Sequence, residues 1–217
     1  MENISLWEQF IRQFNLRGPE LLGATGVHIK LVLISMLIAI VVGVPAGILV
    51  ARIKGLRTPI IGVASILQTI PGLALLGFMI PIFGIGTITA VAALFLYSLL
   101  PVIRNTFTGI KDVDPAIIEA ARGMGLTSRQ ILFRVQLPLA LSVIMAGIRT
   151  ATVINVGTAT LAAFIGAGGL GDFIFLGITR NIDALILLGA IPAAILALVF
   201  DYLLGLVERW TTPRGLR

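Results

Sequence analysis

The sequence predicts an all-α integral membrane protein of about five transmembrane helices with a cytoplasmic helical pair. Composition, the spacing of its charges and one charged interruption predict it. Hydrophobic residues make up 58% of the chain and charged residues 12%, against roughly 45–50% and about 25% in soluble domains. So much apolar surface cannot be hidden from water in a chain of 217 residues. Glycine is abundant, at 24, which suits close backbone approach between membrane helices. The formal charge of +6 falls between the apolar runs and forms no basic face, so it reads as the cationic excess of cytoplasmic loops and not as a nucleic-acid surface. There is no cysteine, which excludes disulfides and thiolate metal sites.

A crossing needs about 20 apolar residues to traverse roughly 30 Å. The first thirty residues are too polar for that. Their opening carries two Glu and no cationic run before an apolar core, so it is not expected to be a cleavable signal peptide. Trp7, Phe10, Ile11 and Phe14 recur at helical spacing. They fit either a short amphipathic helix at the outer interface or a loosely ordered terminus. Residues 1–30 are thus expected to form an extracytoplasmic or interfacial segment, and 31–208 the transmembrane domain.

The uncharged run from Leu31 to Ala51 makes the first span, 31–51. Thr58 to Ile103 is too long for one crossing and right for two, at 59–80 and 87–103, separated at the Gly- and Pro-rich Pro81 to Thr87. Arg149 is the only charge from Val135 to Gly171, which gives a fourth span at 138–165. Asp201 alone interrupts the fifth, 184–207, before a cytoplasmic tail, 209–217. Arg52, Lys54 and Arg57, then Arg104, Lys111, Arg122, Arg129 and Arg134, then Arg209, Arg214 and Arg217 fall on one side of this topology. Only Arg12, Arg17, Lys30 and Arg180 fall on the other. The rule that cationic loops stay inside puts the N-terminus outside and the C-terminus in the cytoplasm.

The charged interruption, 112–135, predicts a helical knuckle. Asp114 before Pro115 is a helix start: a carboxylate cap, then a ring that needs no donor in the first turn. Glu119 is early in that helix, where negative charge is favoured. Gly125 closes it in a left-handed conformation. Thr127 with Gln130 is a capping box for a second helix, which Pro138 is expected to end. A rigid knob of this kind can receive force from a soluble partner.

Glu119-Ala120-Ala121, three residues, Gly125, nine residues, then Val135-Gln136-Leu137-Pro138 resembles the EAA loop of the ABC importer permeases. That loop reads E-A-A, three residues, G, nine residues, I-x-L-P, and only Val135 departs from it. The resemblance implies the type I importer permease fold. It makes the loop a coupling helix that docks on an ATPase through Glu119, Ala120, Ala121 and Gly125, with Leu137 and Pro138 closing the motif. Ile117, Ile118 and Met124 would fill the groove on that partner. Residues 67–86, 94–110, 146–152, 164–175 and 208–217 are further similar to the permeases of osmoprotectant importers, which carry glycine betaine, carnitine, choline or related quaternary ammonium compounds. The implied setting is a bacterial cytoplasmic membrane. The implied partners are a cytoplasmic ATPase pair that binds ATP and Mg, a second permease chain, identical or related, and an extracytoplasmic substrate-binding protein.

The chain itself is expected to hold no cofactor, no metal and no catalytic residue. No Gly precedes a Lys, so the phosphate-binding P-loop is missing. His28 stands alone, without a ligating or catalytic cluster. The run from Gly166 to Gly171 reads as a tight re-entrant turn. Polar groups at bilayer depth seek a partner or a wet cavity. Gln68 and Thr69 precede a kink at Pro71-Gly72, and Asn155, Thr158 and Thr160 lie near mid-depth. Gln68, Thr69, Asn155 and Thr158 are the candidate pathway residues, although helix–helix hydrogen bonding explains them equally. Phe78, Phe95, Tyr97 and Phe164 offer ring faces to a quaternary ammonium. Arg149 either lines the pathway or pairs across a dimer, or it sits at the inner interface with its stem along the helix; the third reading is favoured, because a fixed central cation would repel such a substrate. An ion-coupled secondary transporter would want intramembrane carboxylates, and only Asp201 qualifies. An osmotically gated channel, or the same permease role for a different solute, is the remaining alternative.

Overall fold

The computed structural model describes residues 5–211. The last part of the expected tail, 212–217, and residues 1–4 lie outside the described residues. Helix α1 (Leu6–Arg52) starts at Ser5, whose hydroxyl and the Glu8 carboxylate form a capping box. The opening of the chain is helical up to a non-helical kink at Arg17 (φ −115°, ψ 15°), beyond which the helix of the first span begins. The kink lets Pro19 fall in the opening turn of the straight segment, where its missing N–H costs nothing.

Two helices occupy the stretch expected to cross at 59–80. Helices α2 (Arg57–Thr69) and α3 (Gly72–Phe83) meet at 106° across Ile70-Pro71. Pro71 has no N–H, so the helix ladder fails there. The Tyr97 hydroxyl donates to the stranded Ile70 carbonyl, and a Cβ on Gly72 would lie 2.8 Å from Leu161. Helix α4 (Thr87–Lys111) follows and extends past the expected end at 103.

The knuckle holds α5 (Pro115–Gly123) and α6 (Ser128–Ile131). Contrary to the expectation, Pro138 does not end the second helix. One π turn, Leu132–Gln136, widens the chain and leads straight into α7 (Leu137–Ala159), with Pro138 in its first turn. A 3₁₀ turn, Thr160–Ile165, finishes α7. The glycine run then turns through Gly166, Gly168 and Gly169, all at positive φ, into a short helix, α8 (Gly171–Arg180), that sequence did not anticipate. Helix α9 (Asp183–Thr211) ends the described chain.

Among the described residues four helices are long and apolar enough to cross a membrane, or five spans if α2 and α3 are one broken crossing. Helices α1, α4 and α7 form the centre, around Leu31, Val32, Leu94, Val102 and Val156. Close crossings need small residues: a Cβ on Gly47 would meet Thr106 at 2.5 Å, and one on Gly147 would meet Asn105 at 2.5 Å. At one end His28 bolts α1 to the glycine loop. Its Nδ1 accepts from the Leu170 N–H at 3.3 Å, so its proton sits on Nε2, 3.0 Å from the Val156 carbonyl it donates to. The knuckle lies at the opposite end, where Arg52 of α1 donates to the Ser128 carbonyl at 2.7 Å.

Candidate functional site

The knuckle is built by local chemistry. The Asp114 carboxylate accepts from the Ala116 N–H at 2.8 Å and opens α5. The same helix closes on Gly125, at φ +82°. There the Leu126 N–H reaches the Ala121 carbonyl (3.2 Å) and the Gly125 N–H the Arg122 carbonyl (2.9 Å), the paired bonds of a Schellman turn. Any L side chain at Gly125 would cost about 1–2 kcal/mol. Thr127 and Gln130 form the second capping box, with the Thr127 N–H donating to Gln130 Oε1 at 2.8 Å.

These turns sort the expected docking residues by face. Ala121 is 1% exposed and packs inward, while Glu119, Ala120 and Gly125 are exposed. Ile117 and Met124 are exposed large apolar side chains, Met124 at 72%. Ile117, Ala120 and Met124 follow helical spacing, so one stripe faces away from the protein while Ile118 is half-buried. Leu137 and Pro138 are half-buried at the root of α7. From Ser128 to Ile165 the chain is effectively one helical rod of 38 residues, about 57 Å at 1.5 Å per residue and nearly twice a hydrocarbon core. A single upright crossing therefore cannot contain all of it.

Arg149 has partners that no sequence expectation named. Its Nε and Nη2 donate to Asp201 Oδ1 and Oδ2 at 3.0 and 2.8 Å, and its Nη1 to Glu208 Oε2 at 3.0 Å. Asp201, Gly205 and Glu208 occupy one stripe of α9, and Gly205 leaves room for the guanidinium, whose Nη1 would be 3.3 Å from a Cβ there. Carboxylates seven residues apart on an amphipathic helix were the available signal.

The candidate pathway residues are not gathered at one place. Gln68 is half-buried and Thr69 exposed beside the break, the latter donating to the Ile66 carbonyl at 2.7 Å. Asn155 is fully enclosed and donates to Ser35 of α1 at 3.1 Å, an arrangement that joins two helices. Thr158 is half-buried and bonds back to Ile154 at 2.9 Å. Tyr97 is 8% exposed and spends its hydroxyl on Ile70. Phe78 and Phe164 are exposed, and Phe95 is half-buried. The open face of α7 is instead Ala146, Thr150, Val153 and Gly157, a stripe of small residues. Large side chains, Leu33, Leu37, Val41 and Leu198, Tyr202, line the open faces of α1 and α9.

The family described as the inner membrane component of binding-protein-dependent transport systems matches residues 43–214. The chain belongs to this family. As a permease of an ABC importer it is a transport subunit of a cell membrane, and ATP hydrolysis resides in a separate subunit. It is 46% identical over 209 residues to the glycine betaine/carnitine/choline transport system permease protein of Bacillus subtilis (strain 168), covering 96% of each chain. The carnitine transport permease protein of Listeria monocytogenes is 49% identical over 204 residues, 94% of each chain. The osmoprotectant import permease protein of Salmonella typhimurium is 47% identical over 195 residues, covering 88% of this permease and 91% of that one. In fold the permease matches the MetNI methionine ABC transporter in its inward-facing conformations. The TM-score is 0.78 at 25% identity, over 89% of this chain and 96% of that one.

Proposed function

We propose that this permease forms the pathway for an osmoprotectant quaternary ammonium solute of the glycine betaine, carnitine and choline class, handed over by an extracytoplasmic binding protein. Identity of 46–49% over nearly the whole chain to permeases named for those solutes supports the solute class. The N-terminus is outside and the knuckle in the cytoplasm. Two permease chains, identical or related, enclose one pathway, because the spans of one chain enclose little. Trp7, Phe10 and Phe14 stack along the start of α1, which supports a seat for that segment at the outer interface.

The knuckle is the handle of the ATPase pair, which binds ATP and Mg. One observation carries this: the Schellman turn at Gly125 locks Ala121 inward and thereby holds Glu119, Ala120 and Met124 outward on a rigid rod. Closure of the ATPases draws the two knuckles together, and each pulls its own α7. The permease does no covalent chemistry. Its function is tested by uptake of labelled glycine betaine, carnitine and choline into liposomes that hold the complete importer. ATP-dependent uptake of at least one is expected. Uptake of any of them without the ATPase favours a secondary transporter or channel, and uptake of none rejects the solute class.

A further inference from the structure

We infer that the cleft between the start of α2 and the final turns of α4 seats the phosphate of an anionic phospholipid, at the membrane edge nearest the knuckle. This holds whichever solute the permease carries. The cleft is open, with a volume of about 350 Å³, and is lined by Arg57, Thr58 and Ser65 from α2 and by Arg104, Phe107 and Thr108 from α4. The chain places it near the knuckle from both sides. Arg52, shortly before Arg57, is bonded to the knuckle at Ser128, and α4 runs on past Arg104 into the knuckle itself.

Helix stability does not account for the two cations. No carboxylate lines the cleft, and neither arginine has an ion-pair partner among the described residues. Arg57 opens α2, where peptide dipoles already present positive charge and no side chain caps the helix. Such a helix start attracts phosphate. The Arg57 guanidinium lies 4.7 Å over the Phe107 ring. Stacking occupies a face and leaves the in-plane N–H donors for phosphate oxygens. Arg104, Phe107 and Thr108 share one face of α4 at helical spacing, as Thr58, Gly62 and Ser65 do on α2. Cations and hydroxyls of two helices thus meet in one groove. A Cβ on Gly62 would meet nothing within 4 Å, so the groove stays open there.

The surroundings favour a lipid over a free anion. Beyond the cleft α2 exposes Val63 and Ile66, and α3 exposes Leu73 and Phe78. Ile66 adjoins Ser65 and lies one turn past Gly62. Along α2, charge and hydroxyls at one end therefore give way to large apolar side chains toward the other. A phospholipid has the same order, headgroup and then acyl chains, whereas a free anion gains nothing from the apolar part. Basic clefts between membrane helices at headgroup level bind anionic lipids. A zwitterionic headgroup brings its own cation and leaves the two arginines unbalanced, so the lipid is one of net negative charge.

A chain without cysteine allows a site-specific probe. Ser65→Cys, in the complete importer, is labelled with an uncharged maleimide and read on the permease band, so that surface potential does not alter the reagent's concentration. Labelling should be roughly fivefold slower or more in nanodiscs of phosphatidylcholine with about one-third phosphatidylglycerol than in phosphatidylcholine alone. Arg104→Gln, which leaves Arg57 on the Phe107 ring, should narrow that difference, and Arg57→Gln with Arg104→Gln should bring it within about twofold. Glycerol phosphate in phosphatidylcholine discs should have no effect. Equal rates in the two kinds of disc, or an equal lipid effect without the arginines, overturn the site. Protection by glycerol phosphate assigns the cleft to a free anion, and protection by glycine betaine to the solute; either overturns it. No labelling in either disc shows the cleft covered by protein and overturns it too.

Discussion

The guanidinium of Arg149 grips the Asp201 carboxylate through two parallel hydrogen bonds, at 3.0 and 2.8 Å, and so fastens α9 to the rod that carries the knuckle. Glu208 accepts a third bond from the same group.

Removing one partner at a time should rank the members of this cluster. Arg149→Ala leaves two carboxylates facing each other and should lower the thermal midpoint of the detergent-solubilised protein most. Asp201→Asn leaves Arg149 still held by Glu208 and should lower it less. The reverse order would show that the pair does not tie the helices.

Glycines at crossings and on the open face should respond with opposite sign. Gly147→Ala forces Asn105 and the Pro101 carbonyl away from a Cβ they would meet at 2.5 and 2.9 Å, an overpacking cost of about 1–3 kcal/mol. Gly157→Ala meets nothing within 4 Å and should stabilise by up to about 1 kcal/mol through helix propensity. Denaturation midpoints of the two variants check this.

Loss of the imidazole bolt should loosen the glycine loop. His28→Ala strands the Val156 carbonyl and the Leu170 N–H in a buried site, at about 1–3 kcal/mol each. Hydrogen exchange at residues 166–171 should speed up while that of α4 stays unchanged. Unchanged protection of the loop would contradict the bolt.

The knuckle should tolerate little change at its caps. Asp114→Ala removes the α5 cap at about 1 kcal/mol, and Gly125→Val adds left-handed strain of about 1–2 kcal/mol. Both should reduce ATP-dependent uptake more than membrane expression, with Gly125→Val the more severe. Full uptake in either would separate the turn from coupling.

The knuckle was legible because its signals are local: a carboxylate before a proline, a hydroxyl three residues from an amide, a glycine between them. The 106° bend between α2 and α3 was only half legible. Pro71-Gly72 marks a weak point, but the angle is set by Tyr97 and Leu161, far along the chain. Pro138 misled for the same reason, since a π turn absorbs its missing donor and the helix goes on. The pairing of Arg149 with Asp201, 52 residues away, and the enclosure of Asn155 against Ser35 arise from helix packing, which hydropathy does not encode. Arg57 and Arg104 served sequence reasoning only as topology markers; their meeting across α2 and α4 needed the fold.

Crosslinking from Met124 tests the central claim most directly. In the complete importer, Met124→Cys should crosslink to the ATPase subunit through a short bifunctional reagent, and Ala121→Cys, which faces inward, should not. A crosslink to the binding protein in place of the ATPase, or none from Met124→Cys under conditions of ATP-driven uptake, would contradict it.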